Sequence, residues 1–397
     1  MGMNERGPLH GVQVLDLSTV LSGPLATVLL ADQGADVIKI EAPGQGDLTR
    51  IVGSRSNDMT AMFCLANRGK RSLVLDLSGE DGRAVLRRLV ERADVIVQNF
   101  RPGVAERMGI GYDELRAVNP ALIYVSIAGF GFDGPLADLR VYDNLVQAVS
   151  GMAAVQGDAD EPRPVQNLVC DKITALTVAQ AVTAALFARA SGASGQHIRI
   201  SMLDATASFL WPDAGTAATF LSEQATVMAP RESTSLTRHR DGWTTSAPVS
   251  DEEFRGWCRA FGAPELADDP RFATGRQRLT SPDLPAERRR VIDQARELTV
   301  AEALERLSAE GVSAVPVLRL DDLPAHPQAR CNATFVERTH PIAGRMREPA
   351  PAARFSATPA APGAPAPRMG EHTDEILRAA GLSSADIRAL RAAGTVA

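Results

Sequence analysis

The first 200 residues repeat one pattern, in which a short apolar run of strand length is followed by a segment of helix length. Parallel strands need long crossover connections, which are usually helical, and strands buried on both faces read as nearly continuous apolar runs. The pattern therefore predicts an α/β fold with a parallel sheet covered by helices on both faces. The predicted strands are Val12–Leu17, Val37–Ile40, Ser72–Leu77, Asp94–Val97, Leu122–Ile127 and His197–Met202.

Helix-length segments lie between these strands. Pro24–Gly34 carries its apolar residues on one side, and Ile173–Ala190 is apolar nearly throughout, which predicts a helix buried all round. Ser78 and Asp81 have the spacing of a capping box before a third helix, and Asp204 is a candidate N-cap for a fourth.

The character of the chain changes near Leu221. Two further capping-box patterns, at Ser250 and at Thr299, start predicted helices, and Val312–Leu318 reads as a strand. We therefore expect a smaller α+β domain at 221–329.

The remaining residues are assigned to one large α/β domain, formed by 1–220 and completed by the C-terminal tail, 330–397. The tail contains a stretch rich in Pro and Ala, Pro349–Pro367, which we expect to run extended over a surface. Short terminal helices are expected from Thr373 to Leu390.

Composition excludes several classes of function. The net charge of −6 gives no general attraction to nucleic acid or to an anionic membrane. The four cysteines are far apart and without zinc-site spacing, so we expect no metal site and a reducing, cytoplasmic location. No run of about 18 uninterrupted apolar residues suggests a membrane span.

Asp171 is the strongest candidate for chemistry because it stands at the predicted start of the long apolar helix, where free N–H groups favour a carboxylate. From spacing alone, an N-cap is the simpler interpretation. Gly129 and Gly131 follow a strand, as in loops that approach a ligand closely, although a plain turn explains them equally well. Arg101, Arg107 and Arg140 suit phosphate binding or plain solvent exposure.

A dinucleotide site is the obvious alternative for the first strand–helix–strand unit, and Glu41 is suitably placed to hold a ribose. The turn at 18–24 nevertheless lacks the GxGxxG pattern that lets backbone approach a pyrophosphate. We therefore expect no nicotinamide cofactor.

The chain resembles the class III CoA-transferases, the group that includes formyl-CoA transferase, carnitine CoA-transferase and α-methylacyl-CoA racemase, over nearly its whole length. The order and spacing of short motifs carry the resemblance. These motifs are Val14–Leu17 with Ser22–Pro24, Gly34–Glu41, Asn67–Ser72, Asn99–Gly103, Arg107–Gly109, Val141–Asn144, Asp171 and Gly370–Asp374.

The resemblance implies roles for particular residues. Asp171 occupies the position of the family nucleophile, and Tyr142, Met152 and Trp211 are candidates for the substrate pocket together with Gly129 and Gly131. The residues at positions that contact CoA in relatives are Ser18, Thr19, Ser22, Leu75, Asn99, Phe100, Arg107 and Arg140.

Two features depart from the family. Ala42 stands where relatives often carry an arginine, and the mobile glycine run of formyl-CoA transferase is missing, so we assign closure of the site to Ser233–Asp241.

The resemblance also implies a reaction, substrates and an assembly. CoA passes from an acyl-CoA to a carboxylic acid through a mixed anhydride and an aspartyl-CoA thioester, with no tightly bound cofactor, in an interlocked homodimer. The racemases of the family carry a His where this chain has Tyr142, a much weaker base near neutral pH, so the isomerase is the second interpretation. A non-catalytic CoA-binding protein is the third.

Overall fold

A computed structural model describes residues 7–157, 160–222 and 236–397. The chain divides into two compact units, one formed by Met1–Ala225 with Ala333–Ala397 and the other by Thr226–Asn332. The first unit is thus built from two separate stretches of chain.

The N-terminal stretch alternates strands and helices. Its strands are β1 (Gln13–Asp16), β2 (Asp36–Glu41), β3 (Arg55–Ser56), β4 (Met59–Thr60), β5 (Lys70–Val74), β6 (Val95–Gln98), β7 (Ile123–Ala128) and β8 (Gln196–Ser201). Its helices are α1 (Ser22–Asp32), α2 (Ala61–Asn67), α3 (Glu80–Val90), α4 (Val104–Arg107), α5 (Tyr112–Val118), α6 (Asp143–Val149), α7 (Met152–Gln156), α8 (Val169–Ala190) and α9 (Met202–Leu210), with 3₁₀ turns at Leu48–Arg50 and Thr216–Ala218.

Six strands form one parallel sheet in the order β5-β2-β1-β6-β7-β8, while β3 and β4 pair separately as a small antiparallel ladder. The predicted α/β fold with a parallel sheet is confirmed. The chain builds outward from β1 to β2 and β5, and then crosses to the other side of β1 at β6. The topological switch point, where ligands of open α/β sheets bind, therefore lies between the ends of β1 and β6.

The two faces of the sheet bury different side chains because successive strand residues point to opposite sides. Val14 and Val37 pack in one core with residues of α1, α8 and α9. Leu15 and Ile38 pack in a second core with residues of α3, α5 and the C-terminal helices.

Helix α8 differs from its prediction in two ways. It begins at Val169, four residues before the expected start, and it is not buried all round, because Leu176 and Phe187 are 61% and 74% exposed. Within the described residues it is the one helix long and apolar enough to cross a membrane, with a mean hydropathy of 1.4. A core helix passes the same test, and 39% of this stretch is buried.

The second unit is described by itself. It contains β9 (Thr237–Arg238), β10 (Trp243–Ser246), α10 (Asp251–Ala260), α11 (Pro264–Ala267), α12 (Gly275–Thr280), α13 (Leu284–Ala295), α14 (Val300–Ala309), β11 (Ala314–Pro316) and α15 (Pro327–Cys331), with 3₁₀ turns at Pro270–Phe272 and Leu320–Ala325. The strands form an antiparallel sheet, β11-β10-β9, and the helices bury an apolar core around Trp257. The capping boxes predicted at Ser250 and Thr299 are both confirmed.

The C-terminal stretch returns to the first unit. It contains a hairpin, β12 (Phe335–His340) and β13 (Gly344–Pro349), and two helices, α16 (Thr373–Ala379) and α17 (Ser384–Ala392). Residues 350–372, all of them described, contain no helix or strand. The tail binds the β5 edge of the sheet, where His372 N donates to Ser72 O at 3.0 Å and Asp76 N donates to Thr395 O at 2.8 Å.

Two predicted caps are wrong. Helix α3 starts after Gly79 and has no side-chain cap, so Ser78 and Asp81 form no capping box. Helix α9 is capped by Ser201, whose Oγ accepts from Asp204 N, so Asp204 lies within the first turn. In both cases a neighbouring residue takes the cap position, an offset that sequence patterns do not resolve.

Candidate active site

The parallel sheet brings several predicted site residues to one edge. Thr19 follows the carboxyl end of β1, Leu75 follows β5, Asn99 and Phe100 follow β6, and Gly129 follows β7. The carboxyl ends of parallel strands meet at the same edge, which is where open α/β sheets bind ligands.

Asp171 is the third residue of α8 and is 8% exposed. The N-cap of α8 is Leu168, which makes no side-chain capping bond, so the interpretation of Asp171 as the cap is wrong. The hydroxyl and the backbone N–H of Ser22, the first residue of α1, lie close enough to the Asp171 carboxylate to stabilise its charged form. The carboxylate thus lies at the N-terminal ends of two helices.

Burial raises the pKa of Asp171 to about 6, and the negative charge of Asp143 adds to the rise. The hydroxyl and N–H of Ser22 oppose the rise by stabilising the charged form. A carboxyl group with this pKa is mostly ionised at neutral pH, and here it is poorly solvated because it is buried.

Asp143 lies next to Asp171 and was not singled out by the sequence analysis. It is 2% exposed and lies in the first turn of α6. Its Oδ2 accepts from Asp171 N at 2.9 Å, and its Oδ1 accepts from Gln147 Nε2 at 2.6 Å. The only signal was its place in the Val141–Asn144 motif, because a contact across 28 residues leaves no local pattern.

A cluster of buried charges, Asp16, Lys39, Asp47 and Lys70, was also missed; we call it the buried ion cluster. Lys70 Nζ donates to Asp16 Oδ2 at 2.8 Å, and Lys39 Nζ donates to Asp47 Oδ2 at 2.9 Å. All four residues are at most 2% exposed. The available signal was a lysine in the middle of the apolar strand β2, which is rare unless the charge is paired.

Ion pairing sets the ionisation of this cluster. Burial alone would raise the pKa of Asp16, but Lys39 and Lys70 hold it far below its ordinary value. Burial lowers the pKa of Lys70 to about 8 despite the favourable charge of Asp16.

The loop after β1 lies next to this cluster. Val20 in that loop has a φ of +70°. Asn99, which is expected to contact CoA, holds the loop: its Oδ1 accepts from Thr19 N at 2.9 Å and its Nδ2 donates to Thr19 O at 2.8 Å. These bonds join the ends of β1 and β6 across the switch point.

Other residues expected at the CoA site are spread along the same edge. Leu75 is buried, and its N–H donates to Glu41 O at 2.9 Å. Phe100 lines a cavity of about 260 Å³ together with Arg101. Arg107 is the last residue of α4, and Arg140 is exposed in the segment that leads into α6.

The candidate pocket residues are not all placed alike. Tyr142 is the N-cap residue of α6 and is 51% exposed, and Trp211 is 50% exposed. Met152 is buried in the core and is not exposed on a pocket wall.

At Gly129 the close neighbour is the protein's own chain. An added Cβ would lie 2.4 Å from the side chain of Val141, so packing requires a glycine there. Gly131 has a φ of +116°, which favours glycine for conformational reasons.

The segment assigned to closing the site, Ser233–Asp241, lies partly outside the described residues. Its described part contains β9, which pairs with β10 in the second unit. Within the described ranges, no three His, Cys, Asp or Glu side chains are grouped so as to hold a metal ion.

Comparisons with known proteins show the family of the chain. Residues 9–373 match the family described as CoA-transferase family III. The acetyl-CoA:oxalate CoA-transferase of Acetobacter aceti is 36% identical, over 84% of this chain and 86% of that protein. The succinate–glutarate CoA-transferase of Agrobacterium fabrum is 33% identical, over 94% of this chain and 96% of that protein.

A solved structure shares the fold. The crystal structure of a CAIB/BAIF family protein from Brucella suis superposes with a TM-score of 0.82 at 31% identity, over 95% of this chain and all of that chain. The sequence match and the shared fold both extend over nearly the full length. The chain therefore belongs to the class III CoA-transferases.

Proposed function

We propose that this enzyme moves CoA from an acyl-CoA donor to a small carboxylic acid through covalent intermediates on Asp171. The observation that carries the proposal is the state of Asp171: a carboxylate only 8% exposed, with a pKa raised to about 6, facing the N–H and hydroxyl of Ser22. It is ionised at neutral pH yet poorly solvated, as a carboxylate nucleophile requires.

The reaction runs in four balanced steps. The Asp171 carboxylate attacks the thioester carbonyl and the C–S bond breaks. The products are a mixed anhydride on Asp171 and free CoA thiolate. The thiolate then attacks the aspartyl carbonyl, which releases the donor acid and leaves an aspartyl-CoA thioester. The acceptor carboxylate attacks this thioester, and the freed thiolate finally takes the acceptor acyl group, which restores Asp171.

Local groups support each step. The donors on Ser22 stabilise negative charge that develops on the carboxyl oxygens of Asp171. CoA held at the sheet edge by contacts remote from the reacting carbon keeps the thiolate within reach between steps, which replaces a bimolecular encounter with an intramolecular one.

The proposal is tested by trapping the intermediate. Hydroxylamine added during turnover with acetyl-CoA should convert Asp171 to a hydroxamate, detected by peptide mass spectrometry. Asp204 in the first turn of α9 is the matched control and should remain unmodified. Turnover with modification at a different carboxylate, or with none, would assign the nucleophile elsewhere.

The acceptor is a small dicarboxylate in this proposal. The names of the relatives from A. aceti and A. fabrum specify oxalate, succinate and glutarate, all of them dicarboxylates. A matrix of acetyl-, formyl- and succinyl-CoA against oxalate, succinate, glutarate and monocarboxylates, read by mass spectrometry, tests this class. Faster transfer to the monocarboxylates would exclude it.

An α-methylacyl-CoA racemase remains the second candidate. It needs two acid–base groups at the α-carbon, and a tyrosine at position 142 is a poor base near neutral pH. We expect no enzyme-dependent deuterium uptake at the α-carbon of a chiral 2-methylacyl-CoA in deuterated water. Rapid uptake would assign the protein to the isomerase branch.

A non-catalytic CoA-binding protein is the third candidate, from a different class. It would bind acyl-CoA without releasing thiol. A burst of free CoA equal to the enzyme concentration, measured on rapid mixing with acyl-CoA, would exclude it.

We also propose an interlocked homodimer. The chain forms part of the first unit, then the second unit, and then returns to the first with its tail, which is the chain order that linked subunits would require. Four exposed aromatic side chains support an interface on this unit, because an interface would remove their apolar surface from water. They are Phe187, Phe209, Trp211 and Phe220.

Subunit exchange tests this assembly. Two linked rings separate only on unfolding, so two differently tagged homodimers mixed under native conditions should give no mixed dimer over days by native mass spectrometry. Refolding them together should give mixed dimers. Mixed dimers within hours, or a monomer by light scattering, would exclude interlocking.

A further inference from the structure

The loop of residues 18–21, which we call the β1 loop, contains a strained residue. Val20 has a φ of +70°, in the left-handed region. The other described non-glycine residues with positive φ are Asn57 and Ala333, and neither is β-branched. A β-branched side chain makes this conformation a genuine outlier, and such strain persists only where the surroundings enforce it.

Asn99, which follows β6, holds the β1 loop in this conformation. The Asn99 amide makes two hydrogen bonds to the backbone of the residue before Val20. It accepts from Thr19 N at 2.9 Å and donates to Thr19 O at 2.8 Å. An amide side chain that makes both bonds fixes the orientation of that peptide segment as well as its position.

The buried ion cluster also holds the β1 loop in this conformation. Asp47 Oδ1 accepts from Val20 N at 3.2 Å, and Lys39 Nζ donates to the Ser18 carbonyl. Asp16 Oδ1 accepts from Ser18 N at 3.0 Å. Because these charges are fully buried and hydrogen-bonded to one another, they form a rigid support for the loop.

The β1 loop leads directly into the site. Leu21 is the N-cap of α1, and Ser22 is its first residue, whose donors face the Asp171 carboxylate. The backbone conformation at Val20 therefore sets the direction in which Ser22 points.

We propose that the β1 loop is a strained positioning element, and that Asn99 and Asp47 act on the reaction through it by holding Ser22 against Asp171. Asn99 is a positioning residue in this scheme, whatever contact it makes with CoA. The kinetic readout of this inference rests on the proposed transferase activity.

The proposal makes the effect of Asn99 depend on residue 20. Without the Asn99 bonds, Val20 should relax to negative φ and displace Ser22. Glycine reaches positive φ at little cost, so a Val20→Gly loop should keep its conformation without Asn99. A residue that only contacts CoA would instead have the same effect with either residue at position 20.

A double-mutant cycle tests this dependence. We expect Asn99→Ala to lower kcat by about tenfold in the wild-type background. In the Val20→Gly background the same change should lower kcat by about threefold or less. Asn99→Asp keeps the oxygen that accepts from Thr19 N and should recover part of the loss. Equal losses in both backgrounds, or a loss confined to KM, would overturn the proposal.

Hydrogen exchange gives a readout that needs no activity. Asn99→Ala should speed amide exchange in the peptide that contains Thr19 and Val20, and adding Val20→Gly should restore part of the protection. Ala333→Gly, which changes an exposed residue at positive φ, is the control and should alter neither kcat nor exchange in this peptide. If wild type transfers no CoA, the proposed function fails while exchange still tests the loop; unchanged exchange in Asn99→Ala would overturn the positioning role.

Discussion

Two buried aspartates lie near the start of α1, and their pKa values are shifted in opposite directions. Asp16 has a pKa held far below its ordinary value, whereas the pKa of Asp171 is raised to about 6. Both are less than a tenth exposed, so burial penalises the charged form of both.

Their neighbours make the difference. Asp16 is paired with Lys70 at 2.8 Å and is also close to the charge of Lys39. Asp171 has a second carboxylate, Asp143, near it and only the weaker help of Ser22. One region pairs its buried charges closely, while the other leaves a buried carboxylate with little compensation, which suits the nucleophile of the proposed mechanism.

The largest expected effect separates the two regions by activity. Asp171→Asn should lower the rate of CoA transfer by about 10⁴-fold or more, the scale seen when a nucleophile is removed. Asp204→Asn, also in the first turn of a helix, is the control and should change the rate little. Transfer rates of the purified variants measure this. Near wild-type rates in Asp171→Asn would contradict a catalytic role for Asp171.

The second prediction concerns stability. Asp16→Asn leaves Lys39 and Lys70 buried with one counter-charge fewer, and removal of one partner of a buried pair typically costs about 3–5 kcal/mol. Chemical denaturation should show a loss of that order. Asp36→Asn removes an exposed pair with Arg71 and should cost about 1 kcal/mol or less. Equal losses in the two variants would show that the cluster is not structural.

The third prediction is that removing the charge of Asp171 stabilises the protein, whereas removing that of Asp16 destabilises it. Its pKa is raised from 3.8 to about 6, so its ionisation costs no stability below pH 3.8 and the full amount above pH 6. Two pKa units correspond to about 3 kcal/mol. Asp171→Asn should therefore raise the free energy of unfolding at pH 8 by up to that amount, and hardly at all at pH 4. Denaturant titrations at both pH values measure this, and destabilisation at pH 8 would contradict it.

The smallest effect tests the cause of the raised pKa. The rate of acylation should rise with pH through an apparent pKa near 6, because only the ionised Asp171 attacks. Asp143→Asn removes a nearby negative charge and should move this limb to lower pH. Asp113→Asn, an exposed change of equal charge in α5, is the control and should leave it in place. If Asp143→Asn left the pH dependence of acylation unchanged, the raised pKa of Asp171 would be due to burial alone.

Local features were predicted well. The apolar runs predicted the six parallel strands, since strands buried on both faces leave nearly continuous apolar runs in the sequence. The capping boxes at Ser250 and Thr299 were predicted because both partners lie within four residues. The predicted boxes and caps at Ser78 and Asp204 failed because a neighbouring residue took the cap.

The candidate site was predicted only in part, for a physical reason. The sequence placed Asp171 near a helix start, and the resemblance to the family assigned it the nucleophile's role. Nothing local indicated that Asp143, 28 residues away, would raise its pKa, or that Ser22 would face it.

The sequence by itself determined the alternation of strands and helices, and hence a parallel sheet whose loops meet at one edge. Only the tertiary structure decided which buried charges are compensated. Lys70 and Asp16 are 54 residues apart, and their pairing depends on β5 and β1 lying on the two sides of β2 in the sheet. Electrostatic energies depend on distance and burial, which the fold sets, so the same residue type became a support at position 16 and a candidate nucleophile at position 171.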